Sequence, residues 1–221
     1  MSTDSGSLRI LRLGLTPYEE ALDLQEQLVR SRAEKPQPDT LIIVEHPPVI
    51  TMGRNASGEH VLFTEEALAE RGVTLVRCDR GGDATFHGPG QLVVYPILDL
   101  RARQRGVRKY VSDLEEVMIR CCKDFGILAG RKEGMAGAWL GGEGTEPWRK
   151  IGAVGVRVSK WITSHGLALN VTTNLSYYQL INPCGITEHP VTSLEKELGG
   201  KGPSLEDVTE RLLLHFSRVL I

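Results

Sequence analysis

Residues 151–158 (IGAVGVRV) and 161–171 (WITSHGLALNV) are two runs of apolar and β-branched residues with only Ser159-Lys160 between them. A gap that short leaves no room for a crossover helix, so the pair reads as a hairpin. A sheet is therefore built into any fold this chain adopts. LIIVEH at 41–46 adds a continuous apolar run, as expected of a buried strand, stopped by Pro47-Pro48. VTLVRC at 73–78 and QLVVYPI at 91–97 read as further strands, with Pro96 suggesting an edge or a strand end.

Helical signals are interspersed with these strands. Thr16-Pro17-Tyr18-Glu19 has the form of a capping box ahead of Ala21, Leu22, Leu24, Leu28 and Val29, predicting a helix to about residue 32. A short helix is predicted over 64–71, capped by Thr64 and ended by Gly72. Ser112-Asp113-Leu114-Glu115 has the same capping pattern and precedes an apolar stripe of Leu114, Val117, Met118, Cys121, Cys122 and Phe125. A final helix is predicted from Ser204 to about Leu220. This mixture predicts an α/β (α+β) fold, a mixed β-sheet flanked by helices. At 221 residues, one domain over 1–221 is expected.

Composition narrows the function classes. Lys plus Arg number 26 against 28 Asp plus Glu, so net charge offers no reason to propose nucleic acid. No run of about 18 apolar residues occurs, so no membrane span is expected. MSTDSGSLRI lacks the basic segment and apolar core of a signal peptide. Cys78, Cys121, Cys122 and Cys184 form no metal-type CxxC pairs, which suits free thiols in a reducing cytoplasm.

Three segments could carry chemistry. RGGDATFHGPGQ at 80–91 follows a strand with four glycines within ten residues, which lets backbone approach a ligand. In an extended segment Asp83, Thr85 and His87 would share a face. The same pattern also fits a plain glycine-rich turn. KIGAVG at 150–155 sets Lys150 at the head of a strand whose small residues leave room for an apolar chain, although most strand-end lysines are simply solvated. NPCG at 182–185 puts Cys184 in a turn, whereas Cys121 and Cys122 lie on or beside a helical stripe and Cys78 ends a strand. Of the four, Cys184 is the best candidate nucleophile.

RGGDATFHGPGQLVVYPILDL, KIGAVGVRVSKWITSHGLALNV and NPCGI, in this order and spacing, closely resemble the octanoyltransferases of lipoate biosynthesis. Weaker resemblance extends over most of the chain, including EHPPVITMGR at 45–54; roughly the first ten residues and the loop at 141–147 are free to differ. The resemblance implies a fold similar to biotin and lipoate protein ligase catalytic domains. It implies an acyltransferase that moves an octanoyl or lipoyl group from acyl carrier protein to a lysine of lipoyl domains, the first step of endogenous protein lipoylation. The acceptors would be the E2 subunits of 2-oxoacid dehydrogenases and the glycine cleavage H protein. It implies an acyl-thioester on Cys184, with Lys150 lowering the thiol pKa. It also implies a substrate pocket from Arg80, Gly81, Gly82, Asp83, Ala84, Thr85, Phe86 and His87, from Ala153, Val154 and Gly155, and from Gly166, Leu167 and Ala168. No ATP, metal or other cofactor, no nucleic acid and no membrane is implied, and a cytoplasmic monomer is expected.

The chemistry fits that reading. A free thiol titrates near 8.5, and a neighbouring ammonium favours the thiolate. Exchange of one thioester for another is near isoergic, and amide formation then runs downhill. Small residues at 152, 153, 155, 166 and 168 would shape a slot for the eight-carbon chain, each buried methylene contributing roughly 0.8 kcal/mol. His87 and His165 could hydrogen-bond substrate or serve the structure alone. RARQRGVRK at 101–109 could steer an acidic carrier, or be a solvated loop. An ATP-dependent ligase and a non-catalytic carrier-binding protein are the competing readings.

Overall fold

The computed structural model describes residues 8–57, 60–142, 146–182 and 189–221. Among the described residues, ten strands and five α-helices follow in chain order: β1 (Leu8–Leu15), α1 (Tyr18–Glu34), β2 (Asp39–Glu45), β3 (Val49–Met52), α2 (Glu65–Ala69), β4 (Thr74–Arg77), β5 (Ala84–His87) and β6 (Gln91–Ile97) come first. After them come α3 (Val107–Asp124), β7 (Gly130–Lys132), β8 (Met135–Leu140), β9 (Arg149–Ser159), β10 (Ile162–Asn170), α4 (Leu194–Glu197) and α5 (Leu205–Leu220). Seven strands form one mixed sheet in the order β1-β2-β6-β10-β9-β8-β7, and β4-β3-β5 form a smaller one. Only β1–β2 in the large sheet and β3–β4 in the small one are parallel.

The expected fold class holds. Alternation in the central strands sends Leu41, Ile43, Leu92 and Val94 towards α3 and α5, where they join Val117, Met118, Leu212 and Phe216. Ile42, Val44, Val93 and Tyr95 point the other way, onto Tyr18 and Ala21 of α1. Strands covered on both faces have no polar face, which is why 41–44 reads as unbroken Leu-Ile-Ile-Val. The hairpin of β9 and β10 turns through Lys160 and Trp161, both with positive φ (51° and 70°), as a two-residue turn matched to the strand twist requires.

Several local expectations need correction. Of the two expectations for Pro96 the strand end holds, since it is the second-last residue of β6, but the edge does not, since β6 lies between β2 and β10. The proline is tolerated because the β6–β10 ladder ends at the Val94–Leu167 pair; beyond it Thr163 takes over, its hydroxyl donating to Pro96 O (2.6 Å) and accepting from Leu98 N (2.9 Å). The first capping box does not form: Thr16 Oγ1 donates to Leu13 O instead, and α1 starts at Tyr18 with no side-chain cap. The second lies inside α3, which begins at Val107. There Glu115 accepts from Gly137 N at 2.9 Å and anchors β8. The predicted cap of Thr64 is made, and Ser204 caps α5 in the same way. Among the described residues, no helix is long and apolar enough to cross a membrane.

Candidate active site

Lys150 does not line the cleft described below, but an irregularity in β9 sets it on the same face of the sheet. Ala138 pairs with Gly152 but Trp139 pairs with Lys150, so β9 carries one extra residue, Ile151. Ile151 packs into the core with Met118, and a Cβ placed on Gly152 would meet Met118 Sδ at 2.5 Å. Two successive residues thus face α3, and the alternation resumes out of phase. Lys150 is thereby brought to the opposite face of the sheet, the α1 side, together with Ala153 and Gly155. Its ammonium sits 4.6 Å from the centroid of the Trp139 ring, within cation–π range. Its backbone binds Pro190 and Thr192, through Lys150 N to Pro190 O (2.9 Å) and Thr192 N to Lys150 O (2.8 Å).

Further along that face lies a narrow cleft open to solvent. Of the expected pocket residues, Arg80, Thr85, His87, Ala153, Val154, Gly155, Gly166, Leu167 and Ala168 line it. Gly81, Gly82, Asp83, Ala84 and Phe86 do not. Gly81 N donates to Val156 O and Gly82 O accepts from Asn55 N, so these backbone groups hold the segment in place. Asp83 turns away to His60, with Nδ1 and Oδ2 at 2.6 Å, and Ala84 and Phe86 fill the core of the small sheet, Phe86 stacked on Tyr177. The small residues divide likewise. Ala153 and Ala168 open the cleft, but Gly152 makes room for Met118, Gly155 for Arg80 and Gly81, and Gly166 for β6, since a Cβ there would meet Val94 O at 2.2 Å.

Sequence reasoning missed Tyr18, Val93 and Tyr95 in the lining. Two tyrosine hydroxyls inside apolar segments were the available signal. They belong to a buried network with three histidines. Tyr95 OH donates to His46 Nε2 at 2.8 Å, because His46 Nδ1 already donates to Thr16 O at 2.7 Å. Gln91 uses its amide nitrogen on Phe86 O, Asn170 Oδ1 and Tyr178 OH, so its oxygen accepts from His87 Nδ1 at 2.7 Å. His87 Nε2 is left as an acceptor. Burial pushes His46 down to about 4 and His87 to about 3, and lowers His165 against the pull of Asp79. Burial also raises the phenols of Tyr18 and Tyr95, so the lining is neutral apart from Arg80. The Arg80 guanidinium donates to Thr51 O and Oγ1 (2.8 and 2.9 Å) and to Gly81 O (3.1 Å).

Cys184 and Gly185 lie outside the described residues. Their flanks are anchored: Asn182 N donates to His60 O at 2.8 Å, and 190–192 are bound to Lys150. Cys121 and Cys122 are buried in the core as expected, their thiols raised by burial, Cys122 to about 12. Cys78 is half-buried, with Sγ 3.5 Å from Met52 O. Among the described residues, no group of three or more His, Cys, Asp or Glu is placed to hold a metal ion.

The model of the lipoyl protein ligase A/B catalytic domain matches residues 17–217. The chain belongs to that family. It is 51% identical over 211 residues to an octanoyltransferase of Koribacter versatilis, covering 95% of this chain and 82% of the relative. It is 49% identical over 208 residues to one of Solibacter usitatus, covering 94% and 90%. In fold it is similar to the bipartite lipoate protein ligase of Thermoplasma acidophilum, with a TM-score of 0.71 at 17% identity over 96% of this chain and 83% of that one. It is also similar to the biotin protein ligase of Aquifex aeolicus in complex with biotin and ATP, with a TM-score of 0.52 at 15% identity over 97% and 70%. At such identities these two likenesses speak for the fold alone.

The basic stretch at 101–109 is partly spent inside the fold, at Arg103 and Arg105. Arg103 pairs with Asp39 and donates to Leu220 O, while Arg105 and Lys109 both pair with Asp113. Arg101, Arg108 and Lys109 remain on the surface.

Proposed function

We propose that this chain transfers an octanoyl or lipoyl group from the phosphopantetheine thioester of acyl carrier protein to a lysine of a lipoyl domain, through a thioester on Cys184 assisted by Lys150. The observation that carries the reading is the phase change of β9 at Ile151, which puts Lys150 on the sheet face that bears the cleft. The family and the octanoyltransferase relatives support it. So does the chain path, because the segment bearing Cys184 departs from an anchor at His60 and returns to one at Lys150. Residues 1–221 act as one catalytic domain, a cytoplasmic monomer without metal or nucleotide. Its acceptors are lipoyl domains of E2 subunits and the glycine cleavage H protein.

The Lys150 ammonium favours the Cys184 thiolate, which adds to the carrier thioester carbonyl. The tetrahedral oxyanion collapses, the C–S bond to the carrier breaks, and the carrier thiolate leaves and takes up a proton. The acceptor amine then adds to the enzyme thioester. An amide C–N bond forms, the bond to Cys184 breaks, and the amine proton passes by way of Lys150 to the sulfur. Gly81 N and Gly90 N already donate, to Val156 O and Glu45 Oε2, so the oxyanion must be met by other donors. The neutral cleft lined by Ala153, Gly155 and Leu167 takes the acyl chain.

The test is transfer from octanoyl-carrier to a lipoyl domain with purified components and no nucleotide. Transfer is expected without ATP. A strict requirement for ATP would contradict the proposal and favour a ligase.

A further inference from the structure

A second cavity, open to solvent, lies beyond the cleft, between α1 and the ends of β9 and β10. His165 lines both. Its imidazole is 2% exposed and fixed from three sides. Its backbone N–H donates to Gln25 Oε1 at 2.7 Å, Nε2 donates to Asp79 Oδ1 at 3.0 Å, and Nδ1 faces Tyr18 OH at 3.5 Å. Its φ of +55° is uncommon for a residue other than glycine. A side chain held this firmly in a costly conformation is a partition rather than a mobile lining.

The two spaces are alike in their balance of polar and apolar lining but differ in charge, with Glu26, Arg30, Asp79 and Arg157 lining the second and Arg80 alone the first. Gln25 is fully buried in the second, and its Nε2 has no acceptor among the described residues. Asp79, Arg157 and Ser164 add polar groups there, beside apolar Leu22 and Val29. The first cleft is apolar where Ala153, Gly155 and Leu167 line it. His165 pairs with Val156, which lies six residues from Lys150. That is roughly 20 Å of extended strand, less the residue absorbed at Ile151. A lysine side chain and an imidazole occupy part of it. An extended eight-carbon chain spans roughly 9 Å from its bond lengths and fits in what remains.

On the reading given under Proposed function, we infer that His165 is the stop that sets acyl-chain length: a chain running from the reaction centre along β9 ends against the imidazole, and a longer one is refused. Tyr18, Gln25 and Asp79 hold the stop in place. Removing it would join the two cavities, so that a longer chain could continue over Leu22 and Val29.

The test compares acyl transfer from octanoyl-, decanoyl- and dodecanoyl-carrier by the wild type, His165→Gly and His165→Asn. Glycine and asparagine both tolerate the positive φ, and thermal unfolding shows which variants are folded. The dodecanoyl-to-octanoyl ratio of kcat/KM is expected to rise tenfold or more in His165→Gly and by less in His165→Asn. An unchanged ratio in a folded variant that still transfers octanoyl overturns the inference and leaves the proposed function standing. A wild-type protein that accepts dodecanoyl as readily as octanoyl also overturns it. Absence of octanoyl transfer by the wild type overturns the proposed function, and this inference with it.

Discussion

His46, His87 and His165 share one buried aromatic cluster with Tyr18 and Tyr95, and burial keeps them neutral. This has a consequence for stability. In the unfolded chain an imidazole titrates near 6.5, whereas folded His46 titrates near 4 and His87 near 3. Above pH 6.5 neither state binds the proton, and the histidines add no pH dependence. As pH falls below 6.5 the unfolded chain takes up protons that the fold refuses, so stability is lost down to about 4 and 3 respectively. Each histidine contributes up to about 1.4 kcal/mol per pH unit in that window. Urea midpoints are expected to drop between about pH 7.5 and pH 5, and His87→Gln is expected to flatten the dependence by one proton's share. A slope unchanged in that variant would contradict the buried neutral state. At this scale the sequence was only partly legible. His87 stood out within its glycine-rich segment, but nothing in LIIVEH or QLVVYPI signalled that His46 and Tyr95 would meet across strands.

At the scale of elements, the turning point is the extra residue in β9. Strict alternation from Ala153 would have sent Lys150 away from the cleft, and only the pairing of Trp139 with Lys150 reveals the shift. The β9–β10 hairpin was readable because both strands are long and joined by two residues. β1, β3, β5, β7 and β8 were not: Leu8–Leu15 is interrupted by arginines, β3, β5 and β7 are four residues or fewer, and β8 carries Gly137. The small residues of KIGAVG were readable as a group but not by role. Adjacent positions should therefore behave differently. Gly152→Val drives atoms into Met118 and is expected to cost about 1–3 kcal/mol of stability. Ala153→Leu points into the cleft and is expected to lower kcat/KM for octanoyl transfer at least tenfold, with shorter acyl chains less affected. Denaturant titration and chain-length kinetics on the two variants check this. Equal effects on both readouts would mean that the two side chains share a face.

For the whole molecule, the open question in the sequence was how Cys184 and Lys150, 34 residues apart, could act together. Composition and periodicity are silent on this, since it depends on a backbone contact between 190–192 and Lys150 that no local pattern encodes. The general class of fold was legible because helix and strand periods were both strong. The fate of the basic stretch was not, because Arg103 and Arg105 find their partners in β2, α3 and the end of α5. The central claim is that one sulfur carries the acyl group between two proteins. Intact-mass and peptide analysis after incubation with octanoyl-carrier, without acceptor, tests it most directly. One octanoyl group is expected on the peptide containing Cys184 in the wild type, removable by hydroxylamine, with none on Cys184→Ala and slower loading of Lys150→Ala. An adduct that persists in Cys184→Ala would contradict the account.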